Sequence, residues 1–594
     1  MTRFHGAFQT VALVVALFCA GLPAAQASLL AGTGLAGTVK SSDGKPMEGV
    51  AVSARAQGKT VTTSVYTNQD GEYFFPDSLS AGQYQIWAQA VGFQMARLEG
   101  AISSGKTLQQ DFSLQPLRNF EKQLSGTEWE NSLPTATAED RRMHKIFNYN
   151  CTSCHVSGFV LTKRFDSAGW GIILDTMIEH YTNPGARNRK MLQSYKEELV
   201  EYLTRVRGPK QYPLNWKPFP RPVGEAARIV VTEYDLPRVD QPDYLWANNG
   251  TDWSAGIPSR YDLQLMHDAV VGKDGNIYFS DADSPERTVG KIDPETGRVT
   301  SYMLPDKNGV AVGTHGAAVA PDGTIWLTNQ TERTMLQFDP RTEKFQRYPR
   351  ATSMARAGGT IAVDSQGDVW TSSPNGALRL NPQTGKYTAY KSVTPGGGPY
   401  GITIDAEDNA WVAQLQSDRL TVVNGRTGEV SEVVLPPLDE EISAKDREIG
   451  ERNGSTNNSA PLFQKGPRRL GADPNGDAVW VAEYFAGRLA RIDIHTLKVT
   501  EYKVPHRYSH PYAVVVDKNH MVWLCLLNSN RIAKFNPFTE QFTEYPLPNL
   551  GTNIRFIDVD NRTDPPTVWV GYSGSNKIAS VKFRTNPAST AAVR

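Results

Sequence analysis

Cysteine is scarce: four residues in 594, at 19, 151, 154 and 525. Too few remain for a disulfide framework, so packing and hydrogen bonds must hold the chain together. Charge of one sign is also lacking, because 62 Lys and Arg balance 62 Asp and Glu. That balance argues against nucleic-acid binding and polybasic membrane attachment, which need a basic excess. The N-terminal apolar run, "VALVVALFCAGL" at 11–22, is shorter than the ~20 residues of a spanning helix. It follows Arg3 and precedes "AAQAS", where Ala25 and Ala27 form a small-x-small cleavage pattern before Ser28. The segment 1–27 therefore reads as a signal peptide, and the protein as exported to the periplasm with no transmembrane segment after cleavage. A lipid anchor at Cys19 is disfavoured by bulky Phe18, and cleavage leaves Cys151, Cys154 and Cys525.

A chain of this length requires several cores. Over 33–115, short β-rich runs alternate with turn signals such as Asp43-Gly44 and Asp70-Gly71, the pattern of a small β-sandwich. The runs "GTVKSSDGKPMEGVAV", "TNQDGEYFF" and "GQY" resemble the carboxypeptidase regulatory-like, transthyretin-type domain. The resemblance implies a structural or docking module, with carbohydrate or protein as the contact, and no catalytic cluster.

The second stretch, 136–208, contains "FNYNCTSCH" at 147–155. In Cys-x-x-Cys-His, two thiols about one helical turn apart add to the two vinyl groups of a haem while the imidazole reaches the iron. Cys151 and Cys154 are the expected thioether anchors of a single covalent haem c, and His155 is the proximal iron ligand. A zinc half-site would need further Cys or His nearby. Leu199, Tyr202 and Leu203 in "KEELVEYLTRV" lie at helical spacing, suited to packing on the helix that ends in the motif. "DSAGWGIILDTMIEH" resembles the Gly-Trp helix of small class I-like c-type cytochromes. The resemblance makes Met177 the first candidate for the distal ligand, with Met191 and His180 as alternatives.

The third stretch, 224–584, repeats. "DGNIYFSD", "DGTIWLTN", "QGDVWTSS", "EDNAWVAQ", "GDAVWVAE", "NHMVWLCL" and "PPTVWVGY" recur with aromatic centres at Tyr278, Trp326, Trp370, Trp411, Trp480, Trp523 and Trp569. The last repeat has no outer strand of its own. "RIVVTEYDLP" at 228–237 matches the outer strands "KVTEYKVP" and "QFTEYPLP", so it supplies the missing one and closes the ring. The fold expected is multidomain and mainly β: an N-terminal sandwich, a small helical cytochrome c domain, and a seven-bladed propeller closed by an N-terminal outer strand. A long insertion at 438–467 separates blades four and five.

The "W-x-x-E", "GRLARID" and "TEY" runs resemble the streptogramin (virginiamycin B) lyase family across the whole propeller. That family uses a histidine in one late blade, and Glu-x-His in the next, with magnesium to break a lactone C–O bond. Here Arg468 matches the first histidine, His510 the glutamate and Tyr512 the second histidine. These departures remove the base and metal ligand, so a divalent metal in the channel is not favoured, although Glu483 and His506 stand near enough in sequence to be considered as substitutes.

Counting back from the aromatic centres, the inner strands open on His267, His315, Gly359, Tyr400, Arg468, Tyr512 and Arg555. These residues should meet at one mouth of the channel, with His267, His315, Arg468, Tyr512 and Arg555 as candidate catalytic residues for an anionic or oxygen-rich ligand. Such a mouth would be wet, and its histidines would titrate near neutrality. The function expected is periplasmic electron transfer or oxidoreduction, with a redox partner or small-molecule substrate at the propeller. The alternatives are a lyase or hydrolase with an accessory haem, and a redox-sensing binding protein.

Overall fold

The computed structural model describes residues 34–76, 79–153, 155–180, 187–210, 212–237, 248–258, 266–349, 359–455 and 461–584. The expected signal peptide and Cys154 lie outside the described residues.

Six of the repeats each build a four-stranded antiparallel sheet with strands in chain order, beginning with Met266–Val271, Ile277–Asp281, Val289–Ile292 and Val299–Tyr302. The seventh sheet has Ile554–Asp560, Thr567–Tyr572 and Lys577–Phe583 from the C-terminal end, and Ile229–Asp235 as its outer strand. First strands of successive sheets pack in a closed cycle that returns from Ile554–Asp560 to Met266–Val271, the arrangement of a seven-bladed propeller. Where these strands pass closest, glycine is required: a Cβ on Gly401 would stand 2.3 Å from the carbonyl oxygen of Arg468.

The repeated aromatic has a physical basis. In three blades an aspartate six residues upstream accepts the indole N–H: Asp364 from Trp370 (2.9 Å), Asp405 from Trp411 (2.7 Å) and Asp517 from Trp523 (2.9 Å). Its other oxygen accepts backbone N–H groups of the hairpin turn, as Asp405 does from Glu407 and Asn409. One carboxylate thus fixes both the turn and a buried ring that would otherwise leave its donor unsatisfied.

Ring closure has a consequence for the sandwich. Ile229–Asp235 pairs on its other side with Val61–Tyr66, so blade seven runs on through Ala51–Ala56 and Gly82–Gln89 to Ala96–Ile102 in one eight-stranded sheet. Arg55 and Lys577 flank this junction, both ion-paired to Asp235 (2.8 and 2.7 Å). The sandwich is completed by a smaller sheet around Gly34–Ser41.

Between sandwich and propeller stand helices α1 (Gly126–Asn131), α2 (Ala138–Cys151), α3 (Ser157–Leu161), α4 (Ser167–His180) and α5 (Arg187–Arg207). Helix α1 precedes the boundary expected at 136. Ser125 with Glu128 and Thr137 with Asp140 form capping boxes that start α1 and α2. Leu199, Tyr202 and Leu203 of α5 are buried in one core with Met143, Ile146 and Phe147 of α2. The insertion folds onto this unit as α6 (Ala444–Arg452): Asp446 takes a forked ion pair from Arg142 and a hydrogen bond from Tyr195 (3.0 Å). Among the described residues no helix is long and apolar enough to cross a membrane.

Candidate functional site

The site is built from the beginnings of the inner strands. In six of the seven a β-bulge interrupts pairing there: between Met266 and Ala269, Thr314 and Ala317, Pro399 and Ile402, Pro467 and Leu470, Pro511 and Val514, and Ile554 and Phe556. A bulge sets two residues against one and re-aims their side chains. This brings Asp268 in beside His267, and Arg469 beside Arg468.

The structure gathers most of the expected residues. The rings of His267 and His315 lie 3.7 Å apart between centroids, and the Tyr400 and Tyr512 hydroxyls are 2.6 Å apart. Arg468 lies over Tyr512 (4.2 Å), Tyr484 (4.6 Å) and Tyr400 (5.4 Å). Nδ1 of His267 donates to Asp268 (2.7 Å), and both carboxylate oxygens of Asp268 accept from Arg469 (2.9 and 3.2 Å). Arg555 adds a third guanidinium whose field reaches His267, His315 and Tyr512. Gly359 contributes only backbone, its carbonyl accepting from Thr328.

Two expectations need correction. The mouth is not wet throughout: His267 and Tyr512 are 2% and 1% exposed, the helical unit lies against the ring where Thr152 meets Tyr484, and Tyr400, Arg468 and Arg555 keep partial exposure. Nor do the histidines titrate near neutrality. Burial, then the charges of Arg469, Arg555 and Arg468, hold His267 well below the ordinary imidazole value, while burial and its neighbour His267 do the same for His315. Burial opposes ionisation of the Tyr512 phenol, yet the three guanidiniums bring it below its ordinary value; Tyr400 is pushed up to about 12, first by burial. Both imidazoles should therefore stay neutral at pH 6, observable in the 15N shifts of their ring nitrogens. Below 6.5 the unfolded chain binds these protons and the folded chain does not, so each histidine costs about 1.4 kcal/mol of stability per pH unit until its folded value is reached. Imidazolium signals at pH 6 would contradict this.

The roof is the end of the helix that carries the Cys-x-x-Cys-His sequence. Tyr484, over which Arg468 sits, donates to the carbonyl of Thr152 (2.6 Å) and stacks on His510 (4.5 Å). Asn148 Nδ2 donates to Nε2 of His510 (2.9 Å), and Tyr149 packs between Phe463 and Phe485. His510 is thereby committed to the seam. The two substitutes considered for the lyase base lie elsewhere: Glu483 is buried beside Lys465 (3.8 Å), and His506 faces Phe219 and Glu544. Among the described residues no three His, Cys, Asp or Glu gather closely enough for a metal ion.

Around the motif, Cys151 and His155 are half-buried, and the His155 ring stacks on Phe159 (5.0 Å). Burial, and then the charge of Glu130, push the Cys151 thiol up to about 12. Met177 is half-buried at the margin of the helical core, Met191 is inside it, and His180 is exposed at the end of α4.

Residues 34–115 match the carboxypeptidase regulatory-like domain. This regulatory-like domain is the unit whose Val61–Tyr66 strand joins blade seven. No curated protein sequence is similar to the chain. Among solved structures the chain is similar to a streptogramin B lyase (18% identity, 61% of this chain and 100% of that one, TM-score 0.47). It is also similar to virginiamycin B lyase from Staphylococcus aureus (17%, 60% and 100%, 0.46) and to hydrazine synthase from Kuenenia stuttgartiensis (12%, 55% and 97%, 0.42).

Proposed function

We propose that the chain is an exported monohaem c-type cytochrome whose propeller holds the reacting ligand or partner group beneath the haem-bearing helices. The observation that carries this reading is the contact of Tyr484 with both Thr152, inside the Cys-x-x-Cys-His segment, and Arg468 of the ring. Two side-chain contacts separate the two places where chemistry is expected.

The residues present fit the cofactor. Cys151, Val160 and Met177 pack on the helical core while staying partly uncovered, a half-finished apolar surface of the kind a flat macrocycle would cover. Cys151 and Cys154 would hold the haem covalently, with His155 as proximal ligand and Met177 as distal ligand; Met191, committed to the core, serves less well. When bound, haem would supply one-electron chemistry. The chain's own part is to seat it over the ring, to exclude bulk water through the Asn148–His510 and Tyr484–Thr152 seam, and to hold the ring's charges in place.

A lyase reading has less support, because Arg468, His510 and Tyr512 stand at the positions of its catalytic residues and His510 is engaged by Asn148. Expressed with c-type maturation machinery, the protein should carry haem that survives denaturation, and replacing Cys151 and Cys154 together by Ala should abolish it. Haem still attached in that double variant would overturn the assignment.

A further inference from the structure

We propose that the roofed ring binds a small anion that also carries a hydroxyl or amino donor, a hydroxycarboxylate or its amino counterpart, with the anionic end at Arg468 and Arg555 and the donor at Nε2 of His267. The inference rests on the reading above only in taking the ring as the ligand site.

The charges come first. Asp268 is matched to Arg469 by two hydrogen bonds. Arg468 has no such carboxylate among the described residues. Phenol rings surround it instead, and its Nε has no hydrogen-bond partner. Arg555 brings a further positive charge to the same space. A guanidinium withdrawn from bulk water is costly unless an anion shares its environment, and its planar fork suits an oxyanion. Tyr400, Arg468 and Arg555 remain partly exposed, so they border a water-accessible space rather than solid packing.

The donor requirement follows from a tautomer. A carboxylate can only accept, so the 2.7 Å contact of Nδ1 of His267 with Asp268 places the imidazole proton on Nδ1, in preference to the longer approach of Arg469 Nη2 to the same nitrogen (3.3 Å). Nε2 is then a lone pair, buried and without a protein partner. A buried acceptor of this kind calls for an O–H or N–H. The ligand's donor would therefore sit against the lone pair of a neutral imidazole that Asp268 orients. Arg469 fixes Asp268 and acts as a positioning residue.

Below the ring the propeller is hollow. A cavity of ≈ 650 Å³ runs through the propeller from Asp268 and Arg469, between apolar walls that include Val270, Ile361 and Val514, to Lys273 and Arg562 at the opposite end. Arg562 is paired there with Asp560 (2.8 Å), and the lining ends at the Asp268–Arg469 pair, short of His267, Arg468 and Arg555.

Glycolate and acetate test the proposal, since they differ chiefly in the hydroxyl. Calorimetric titration of the haem-loaded full chain in low-chloride buffer should give one site for glycolate, with acetate at least tenfold weaker. Arg468→Gln should weaken both at least tenfold; His267→Phe should bring glycolate down to acetate and leave acetate unchanged. Arg555→Gln repeats the charge test should Arg468→Gln fail to fold. Absence of glycolate binding, or undiminished binding in the folded arginine variant, would overturn the site; equal affinities of the two acids for the wild type would overturn the donor contact. Loss of covalent haem leaves this titration readable, so the two readings fail separately.

Discussion

Proline at position 231 is expected to abolish soluble, folded protein. Val231 is fully buried in Ile229–Asp235, and pairs with Val581 of blade seven on one side and with Ser64 of the sandwich on the other. Proline removes a backbone N–H that the ladders use, and central strands tolerate it poorly. The buried valine packing is lost with it. Because this strand is the only covalently distant piece of blade seven, its loss would open the propeller and expose strand edges on both flanks at once. The combined cost, several kcal/mol, is comparable to the ~5–15 kcal/mol that keeps a typical domain folded. Gln346→Pro provides the contrast: it lies exposed in the outer strand Lys344–Arg347, which pairs only with Thr334–Asp339. Soluble yield and circular-dichroism melting should show a modest loss for Gln346→Pro and collapse for Val231→Pro. Wild-type yield and melting of Val231→Pro would contradict a shared, continuous sheet.

The propeller was legible because its signals are local and repeated: a turn and a buried aromatic recur in register, and the unmatched strand "RIVVTEYDLP" betrays the closure. The pairing of that strand with Val61–Tyr66 was not legible, since edge-to-edge pairing between units leaves no periodicity in either sequence. Counting along alternating strands found His267, Arg468 and Tyr512 but missed Asp268 and Arg469. Strict alternation sends neighbours to opposite faces, whereas the bulges in these two inner strands turn both inward. The adjacent pairs "HD" and "RR" at the starts of two inner strands were the available signal. The burial of the ring was missed for a different reason: nothing in either segment tells that α2 and α3 are seated on blades five and six through single polar contacts. The titration of the histidines followed that error, because a wet mouth and a roofed one give imidazoles opposite fates.

Glu130→Ala is expected to unseat the helical unit. Glu130 is fully buried where α1, α2, α3 and blade six meet. Its oxygens accept from Asn148 (2.6 Å), Ser157 and Asn528 (3.4 Å), with Nε2 of His144 at 3.5 Å. Asn148 in turn holds His510, and Asn528 also accepts the backbone N–H of Ser157 (2.9 Å), so the carboxylate ties the seam on both sides. Removing it leaves several buried donors without their acceptor, at about 1–3 kcal/mol each and not additively. We expect a loss of about 3–5 kcal/mol in denaturant unfolding at pH 7, and faster proteolysis of the helical unit than of the propeller. Glu130→Gln keeps one acceptor and should lose less. Burial works against the charge on Glu130, but the imidazoles of His144 and His510 beside it outweigh it and hold the carboxyl below its ordinary value of 4.5. With the folded value depressed, the stabilisation is complete above about pH 4.5 and is lost as pH falls through the folded value. The difference in stability between wild type and Glu130→Ala should therefore shrink on acidification below pH 4.5 and be constant above it. A gap that stays unchanged into the acid, or a variant as stable and protease-resistant as wild type, would show that Glu130 does not carry the seam on which the approach of Thr152 to Tyr484 depends.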